Sequence, residues 1–169
     1  MAMESNVEVS RQSLGLNPVG YVSSGYRNYS DTPRLHGDKG WNDDFSRIIL
    51  YPEHAVKLKG LQGYSHIIVL YWIHKVRQWR MPKDHGKPPE VKLFATRMPT
   101  RPNPIGLSVV ELISFSPDDG IATVKGLDAL DESPVLDIKP YIPDFDSYPE
   151  ATLPDWVKSH LRKHHHTHK

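Results

Sequence analysis

Short runs of apolar and β-branched residues alternate along the chain with clusters of glycine, proline, asparagine and aspartate. Runs of this length between turn formers are typical of β-strands. The run "YSHIIVLYWIHKV" (64–76) is apolar at successive positions, which predicts a strand buried on both faces. Strands or extended segments are predicted at 17–24, 46–51, 64–76, 91–96, 107–116, 121–130 and 134–143.

Helices are predicted to be few and short. The segment 52–61 has Pro52 in its first turn and Gly60 at its end, which favours a short helix, and another helix is predicted to begin near Pro154. Since strands do not alternate with long helices, the pattern favours a mostly β domain, either a barrel or a sandwich. We predict a flexible N-terminus over 1–16, one domain over 17–148, and a C-terminal helix with a histidine-rich tail over 149–169.

Composition narrows the classes of function. The 169 residues suit a single domain, and 21 basic against 20 acidic residues give a formal charge of +1, so contact with nucleic acid requires a local basic patch. The absence of cysteine excludes disulfides, thiolate nucleophiles and cysteine metal sites. The longest apolar run, 67–73, is too short to span a membrane, and the N-terminus has no apolar signal-type stretch. We therefore expect a cytoplasmic protein with no membrane segment.

The segment "ATRMPTRPNPIGLS" (95–108) stands between two strongly β-like runs. Its three prolines fix their own φ angles, so the connection is stiff before any ligand binds, which lowers the ordering cost of binding. Arg97 and Arg101 carry planar donors suited to carboxylate or phosphate oxygens. Asn103 adds an amide that can pair with a ring edge, and Gly106 allows close approach to the backbone. A proline-braced turn with two surface arginines is the alternative interpretation.

Four segments resemble one known family. "FATRMPTRPNPIGLSVVEL" (94–112) is similar to the signature FATRSP-x-RPNPIG-x-S of the TsaA-like family, which includes the TrmO tRNA methyltransferases. "LDALDESPVLDIKPYIP" (127–143) is similar to the family's LD-x-x-DGTPVLDIKPYIP. "LQGYSHIIVLYWIHK" (61–75) and "NPVGYVSSGYRN" (17–28) match two further segments in the expected order. The resemblance covers about residues 17–145.

The resemblance implies a mainly all-β protein, a single small antiparallel β-barrel with short peripheral helices, outside the Rossmann class. It implies S-adenosyl-L-methionine as the cofactor and a homodimer with the cofactor near the subunit interface. The expected reaction is methylation of N6 of the threonylcarbamoylated adenosine just 3′ of the anticodon, at tRNA position 37. The sequence contains no G-x-G, which agrees with a non-Rossmann fold. The alternatives are a methyltransferase that uses the same cofactor on another substrate and a non-catalytic module that binds it.

The resemblance also points to residues that bind the cofactor. The methionine end of the cofactor carries a carboxylate, which Arg97 or Arg101 is suited to hold. Backbone groups around 94–96 and Ile105 are suited to its adenine. The residues expected to bind the cofactor are Phe94, Ala95, Thr96, Arg97, Arg101, Asn103, Pro104, Ile105, Gly106, His66 and Asp128.

Methyl transfer to N6 is helped by a group that accepts the N6 proton, because this nitrogen is urea-like and its lone pair is delocalised. The catalytic candidates are Asp137, Asp131 and Tyr141, and Asp128 is a further possible acceptor. A charged strand rim with an Asp137–Lys139 pair is the alternative interpretation.

The histidines carry no predicted metal site. His66, in "YSH", matches the family and is expected near the site, with a hydrogen-bonded structural histidine as the alternative. His66 and His74 are eight positions apart on one predicted strand. At about 3.3 Å per residue they lie roughly 26 Å apart, too far to share a metal. We assign no function to the histidine-rich tail.

Two residues depart from the family's pattern. Glu132 stands where the family has glycine, which adds a negative charge and removes a residue tolerant of positive φ. Met98 stands where serine is common. Many relatives carry an extra C-terminal domain that is not recognised here. The affinity and specificity for tRNA are therefore expected to differ.

The tRNA anticodon loop is expected to contact two polar loops of the chain, residues 25–44 and 77–90. These loops mix cationic side chains with aromatic rings, a combination that suits unpaired bases. Solubilising surface charge is the alternative for any one of them. The candidates are Arg27, Arg34, Lys39, Arg77, Arg80, Lys83 and Lys87, interleaved with Tyr26, Tyr29, Trp41 and Trp79.

Overall fold

The computed structural model describes residues 15–32, 44–80, 88 and 90–166. Within them, six antiparallel strands form a closed barrel in the order β1-β2-β5-β4-β3-β6, with β6 pairing back to β1. The expected small antiparallel β-barrel is therefore confirmed. The strands are β1 Gly20–Ser23, β2 Phe45–Leu50, β3 His66–Trp72, β4 Ile105–Ser116, β5 Ile121–Lys125 and β6 Pro134–Pro140.

The helical segments are short. The helix predicted at 52–61 is confirmed as α1 Pro52–Ala55 followed by a 3₁₀ helix Val56–Leu61, and the C-terminal helix begins one residue after Pro154. In the part of the chain that the structure describes, no helix is both long and apolar enough to cross a membrane. The remaining segments are α2 Pro143–Asp146, α3 Asp155–His166 and the 3₁₀ turns Val76–Gln78 and Leu93–Ala95.

Alternation along the strands builds the core, because successive side chains of a strand point to opposite faces. On β3, Val69 and Tyr71 point inward and are buried, whereas Ile68 and Leu70 lie on the outer face and are half-buried. The prediction that this strand is buried on both faces is therefore wrong for the single chain, whose barrel covers the inner face only. Other fully buried core side chains are Val22, Ile48, Leu58, Ile67, Val110, Val124 and Val135.

Three of the connections between strands lie at the same end of the barrel. Because neighbouring strands are antiparallel, the links from β1 to β2, from β3 to β4 and from β5 to β6 all start and finish at this end, which we call the loop end. The opposite end, called the helix end, carries α1 and the turn between β4 and β5. The motif at 95–108 therefore meets the segment that follows β5.

The contact between the motif at 95–108 and the segment after β5 forms along an edge of the long strand β4. Its residues 105–111 pair with β3, and its residues 111–116 pair with β5. The first half of β4 therefore extends past the end of β5. The chain leaves β5 through Gly126, whose φ of 83° is readily adopted by glycine, and passes along this edge.

Two strand predictions are wrong. Residues 91–96 do not form a strand but contain the 3₁₀ turn Leu93–Ala95, so the motif at 95–108 is not the tip of a hairpin. The reason is local, because the amide groups of Ala95 and Thr96 donate within this turn, to the carbonyl oxygens of Lys92 and Leu93, and do not form a strand ladder. The strand predicted at 121–130 ends at Lys125, because the positive φ of Gly126 turns the chain.

Candidate functional site

Asp128 lies at the centre of a polar cluster at the loop end. Its Oδ1 accepts hydrogen bonds from Tyr71 Oη at 2.9 Å and from Ser108 Oγ at 2.6 Å. Burial, followed by the negative charge of Asp128, raises the pKa of the Tyr71 hydroxyl far above its ordinary value. Tyr71 is therefore a permanent donor at neutral pH. Within the described residues Asp128 Oδ2 has no hydrogen-bond partner, so one carboxylate oxygen is left to accept from a ligand.

Gly106 makes room for the Tyr71 ring. The two residues are cross-strand partners on β4 and β3, and a β-carbon at position 106 would overlap the Tyr71 ring atoms Cε1, Cε2 and Cζ. The glycine thus lets the tyrosine ring pack against the strand and direct its hydroxyl to Asp128. Close approach of a ligand to the backbone of Gly106 stays a prediction from the sequence.

Arg97 is anchored beside this cluster. Its Nη2 donates to the carbonyl oxygen of Leu107 at 2.8 Å, on the edge of β4 that β5 leaves unpaired. Its positive charge lowers the pKa of Tyr71, an effect smaller than those of burial and of Asp128. The guanidinium has five N–H donors and is exposed, so it retains donors for an anionic ligand.

Arg101 braces the loop that carries Arg97. Its Nη1 donates to the carbonyl oxygen of Thr96 at 2.8 Å and to that of Met98 at 3.4 Å. Its guanidinium carbon lies 5.8 Å from the centroid of the Phe94 ring, and that ring is 81% exposed. The loop therefore presents an aromatic face held by a cation, a surface on which a planar ring can stack.

The other residues expected from this motif lie along the same loop. Thr96 Oγ1 donates to the carbonyl oxygen of Leu93 at 2.7 Å, which closes the 3₁₀ turn. Pro104 is buried and its carbonyl oxygen accepts from Ile73 N, which fixes the loop to the end of β3. Ala95, Asn103 and Ile105 are exposed.

Asp131 fixes the exit of β1. Its Oδ1 accepts from Ser24 N at 3.1 Å, and Ser24 Oγ donates to the carbonyl oxygen of Ala129 at 3.0 Å. The next residue, Glu132, has a φ of 66°, and it is the only non-glycine residue with positive φ among those described. The sequence expectation that this position favours glycine is therefore confirmed.

Two further side-chain pairs at the loop end, Tyr26 with Asp44 and His74 with Ser133, were not predicted from the sequence. The buried Tyr26 donates its hydroxyl to Asp44 Oδ2 at 3.0 Å, and burial together with this bond raises the pKa of Tyr26 to about 12. His74 Nδ1 lies 3.3 Å from Ser133 Oγ, while its buried Nε2 has no partner within the described residues. No local pattern marks Asp44, because its partner lies across a connection 18 positions long.

Tyr71 and Ser108 were also missed, although a signal for them existed. Both occupy inward positions of alternating strands, where the neighbouring inward residues Val69 and Val110 are apolar. A polar atom at such a position requires a buried partner. Only the register of β3 against β4 brings both hydroxyls to Asp128.

Three predicted site residues lie away from this cluster. Asp137 points outward opposite Leu70 and pairs with Lys139 at 2.6 Å, which matches the alternative interpretation of a charged rim. The ring of His66 lies 6.4 Å from that of Tyr141 at the helix end. None of the three hydrogen-bonds to Asp128, Asp131 or Arg97.

The expected tRNA contacts are only partly described. Arg27, Arg77 and Arg80 are exposed at the loop end, and Arg80 Nη1 donates to the carbonyl oxygens of Arg77 and Trp79. Tyr26 is buried, whereas Tyr29 and Trp79 are half-buried. The candidates Arg34, Lys39, Trp41, Lys83 and Lys87 lie outside the described residues.

The fold and the site together define a closed β-barrel protein with a polar site at one end, outside the Rossmann class. The chain belongs to the family described as the tRNA-methyltransferase O N-terminal domain, whose model matches residues 21–147. The resemblance found in the sequence is thereby confirmed.

Named relatives and solved structures agree with this family membership. The chain is 41% identical over 140 residues to a probable S-adenosyl-L-methionine-binding protein of Methanothermobacter thermautotrophicus, covering 82% of this chain and 98% of that one. It is 35% identical to the tRNA (adenine(37)-N6)-methyltransferase of Escherichia coli, covering 83% of this chain and 63% of the relative. The crystal structure of TrmO from Pseudomonas aeruginosa superposes with a TM-score of 0.68 at 32% identity, over 83% of this chain and 61% of that one. The chain thus spans about three-fifths of the bacterial methyltransferases it matches.

Proposed function

We propose that this protein is a cytoplasmic S-adenosylmethionine-dependent methyltransferase that methylates N6 of threonylcarbamoylated adenosine at position 37 of tRNA. Membership of the family and relatives named as tRNA (adenine(37)-N6)-methyltransferases support the general activity. The observation that carries the proposal is the Asp128 carboxylate, which is held by two hydroxyls and has one open oxygen beside the anchored Arg97.

The residues of the site fit the proposed cofactor. S-adenosylmethionine supplies a methyl group on a sulfonium sulfur, a leaving group that needs no proton. Arg97 has free donors for its carboxylate, and the exposed Phe94 ring offers a stacking face for its adenine. Asp128 Oδ2 is suited to accept a hydrogen bond from a ribose hydroxyl or from the ammonium group. The remaining motif residues, braced by Arg101, hold these groups in place.

We assign proton acceptance to Asp131. Asp128 Oδ1 already accepts two hydroxyl hydrogen bonds, and its other oxygen is assigned to the cofactor above. Asp131 accepts one backbone hydrogen bond, and it is half-buried at the loop end. We therefore assign its carboxylate as the acceptor of the N6 proton. Asp137 and Tyr141 remain predictions from the sequence, and the Asp137→Asn variant below tests the first of them.

Exposed cations at the loop end support the proposed contact with tRNA. Arg27, Arg77 and Arg80 surround the same end of the barrel as Asp128, and the half-buried Trp79 lies beside Arg80. Cations with an aromatic ring suit a single-stranded anticodon loop, in which unpaired bases stack and phosphates remain exposed.

We also propose that the protein forms a homodimer through an apolar stripe on the outside of the barrel. The stripe consists of cross-strand pairs on β3 and β4, and its β4 members are 40%, 46% and 41% exposed. Oppositely charged residues border it, Asp137 with Lys139 on one side and Glu111 beside Lys125 on the other. An apolar patch with both signs of charge at each border is suited to a two-fold contact, in which the same patch of both subunits meets. The stripe is Ile68, Leu70, Trp72, Ile105, Leu107 and Val109.

The apolar stripe is in direct contact with the cofactor site. Arg97 hydrogen-bonds to the backbone of Leu107, whose side chain lies in the centre of the stripe. A dimer formed through this face therefore places the cofactor site of one subunit next to its partner, as the resemblance implies.

The decisive experiment follows transfer of labelled methyl groups from S-adenosylmethionine to tRNA. We expect label at adenosine 37 of tRNA from a strain that lacks only this methyl group, and no label when the threonylcarbamoyl group is missing as well. Asp131→Asn should lower the single-turnover rate about a hundredfold, whereas Asp119→Asn, in an exposed turn at the helix end, should leave it unchanged.

Other outcomes contradict specific parts of the proposal. Cofactor binding without transfer to any tRNA would identify a non-catalytic binding module, and transfer to another acceptor would change the substrate. A loss of rate in Asp137→Asn but not in Asp131→Asn would overturn the assignment of the base. Failure to bind the cofactor would overturn the activity itself.

A further inference from the structure

A cavity lies at the helix end of the barrel, opposite the Asp128 cluster. Its volume is about 150 Å³. None of the residues of the Asp128 cluster lines it, and Asp137, which does line it, is not the base assigned above. The lining residues are Val19, Leu50, His54, Lys57, Leu58, Leu61, Asp137 and Ile138.

The cavity exists because β1 and β6 separate. They pair only through Gly20 with Val135 and Tyr21 with Pro134, and a register shift in β6 follows between its pairs with Tyr71 and Leu70. The segment of α1 and the following 3₁₀ helix covers the resulting gap. Leu50, Leu58 and Leu61 are buried there and form the apolar wall together with Val19 and Ile138.

The rim of the cavity carries both signs of charge. Lys57 Nζ lies 2.9 Å from His54 Nδ1, and since an ammonium group can only donate, Nδ1 accepts. In this arrangement the N–H donor of the His54 ring is at Nε2. Asp137 lines the cavity as well, and its side chain is 43% exposed despite its ion pair with Lys139. The rim thus offers an ammonium, an imidazole N–H donor and a carboxylate.

We propose that this cavity binds an α-amino acid with a small aliphatic side chain. The carboxylate of the ligand pairs with Lys57 and accepts from His54 Nε2, and its ammonium group pairs with Asp137. Its side chain lies against the apolar wall of Leu50, Leu58 and Ile138. The three chemical features of the cavity, cation, anion and hydrocarbon, match the three parts of such a molecule.

The size of the cavity limits the ligand. Its volume of about 150 Å³ suits a small molecule of the size of an amino acid. An α-amino acid group on an apolar chain occurs in free amino acids and also at the methionine end of S-adenosylmethionine. The volume favours the free amino acid, and the inference does not depend on the proposed methyl transfer.

Calorimetry with valine, leucine and methionine tests the proposal on the full chain. We expect saturable binding of an aliphatic amino acid, and at least tenfold weaker binding of isovalerate, which lacks the ammonium group, and of isobutylamine, which lacks the carboxylate. Lys57→Gln and Asp137→Asn should each weaken amino-acid binding about tenfold. Lys59→Gln, an exposed neighbour on the same 3₁₀ helix that does not line the cavity, should bind as the wild type does.

Two outcomes overturn the inference. The first is that no amino acid binds saturably at millimolar concentration. The second is that an amino acid binds but neither Lys57→Gln nor Asp137→Asn changes its affinity. Competition between valine and S-adenosylmethionine, lost in both variants, would support the chemistry of the cavity and assign it to the methionine end of the cofactor. Intact binding of S-adenosylmethionine in both variants, together with lost valine binding, would support the free amino acid as the ligand.

Discussion

The ring of Tyr71 lies against the α-carbon of Gly106, its partner across β3 and β4. Substitution Gly106→Ala should therefore force the ring away from the strand, because a β-carbon at this position overlaps three ring atoms. We expect the free energy of unfolding to fall by about 1–3 kcal/mol, as for other overpacked cores. Urea denaturation measures the change, and weaker binding of S-adenosylmethionine should accompany it, since the Tyr71 hydroxyl leaves Asp128.

A double-mutant cycle isolates this contact. In a Tyr71→Leu background the same Gly106→Ala substitution should cost at least ~1 kcal/mol less, because the ring that it overlaps is gone. Equal costs in both backgrounds would show that the glycine is needed for another reason.

Glu132 pays a conformational penalty that glycine would relieve. Its φ of 66° is unfavourable for a residue with a β-carbon, and its N–H donates to the carbonyl oxygen of Val22 at 2.8 Å, which holds the turn. Glu132→Gly should raise the free energy of unfolding by about 0.5–1 kcal/mol relative to Glu132→Ala, which removes the same charge but keeps the β-carbon. Thermal and urea unfolding of this matched pair measure the difference, and equal stabilities would contradict it.

His74 should make the stability of the fold depend on pH. Burial, followed by the charge of Lys75, lowers the pKa of His74 from its ordinary 6.5. As pH falls through 6.5 the unfolded chain therefore takes up a proton before the folded chain does, so the contribution is present above that pH and is lost below it. The loss approaches about 1.4 kcal/mol for each unit by which the pKa is lowered.

The variant His74→Asn keeps a side chain able to hydrogen-bond to Ser133 but does not titrate. Urea unfolding at about pH 7.5 and pH 5.5 should show a smaller loss of stability for this variant than for the wild type. Identical losses would mean that the folded and unfolded chains bind this proton equally well.

The apolar stripe should control the oligomeric state. Leu107 lies at its centre and is 46% exposed, so Leu107→Glu would place a charge in the proposed interface. We expect a dimer in the wild type and a monomer in this variant by light scattering, because an unpaired buried charge opposes association. Phe145→Glu, at an equally apolar but separate exposed site on α2, is the control and should remain dimeric. A wild-type monomer, or a dimeric Leu107→Glu variant, would contradict the proposal.

Local sequence patterns located the strands of the barrel, because apolar and β-branched runs between turn formers depend on residues close in the chain. Pro52 and Gly60 marked the helix after β2 in the same way. The inward face of β3 did not follow from its sequence, which is apolar at successive positions. Four quoted segments identified the family, and the family's glycine at the position of Glu132 marked a residue tolerant of positive φ, which Glu132 adopts.

The tertiary structure alone decided which polar residues meet. Asp128 is 57 positions from Tyr71 and 20 from Ser108, and the three side chains converge only through the register of β3 with β4 and the path of the chain beyond β5. A shift of one residue in that register would turn every side chain of the strand to the opposite face. For the same reason sequence similarity grouped Asp137 with Asp131, whereas strand alternation directs Asp137 outward toward a separate cavity.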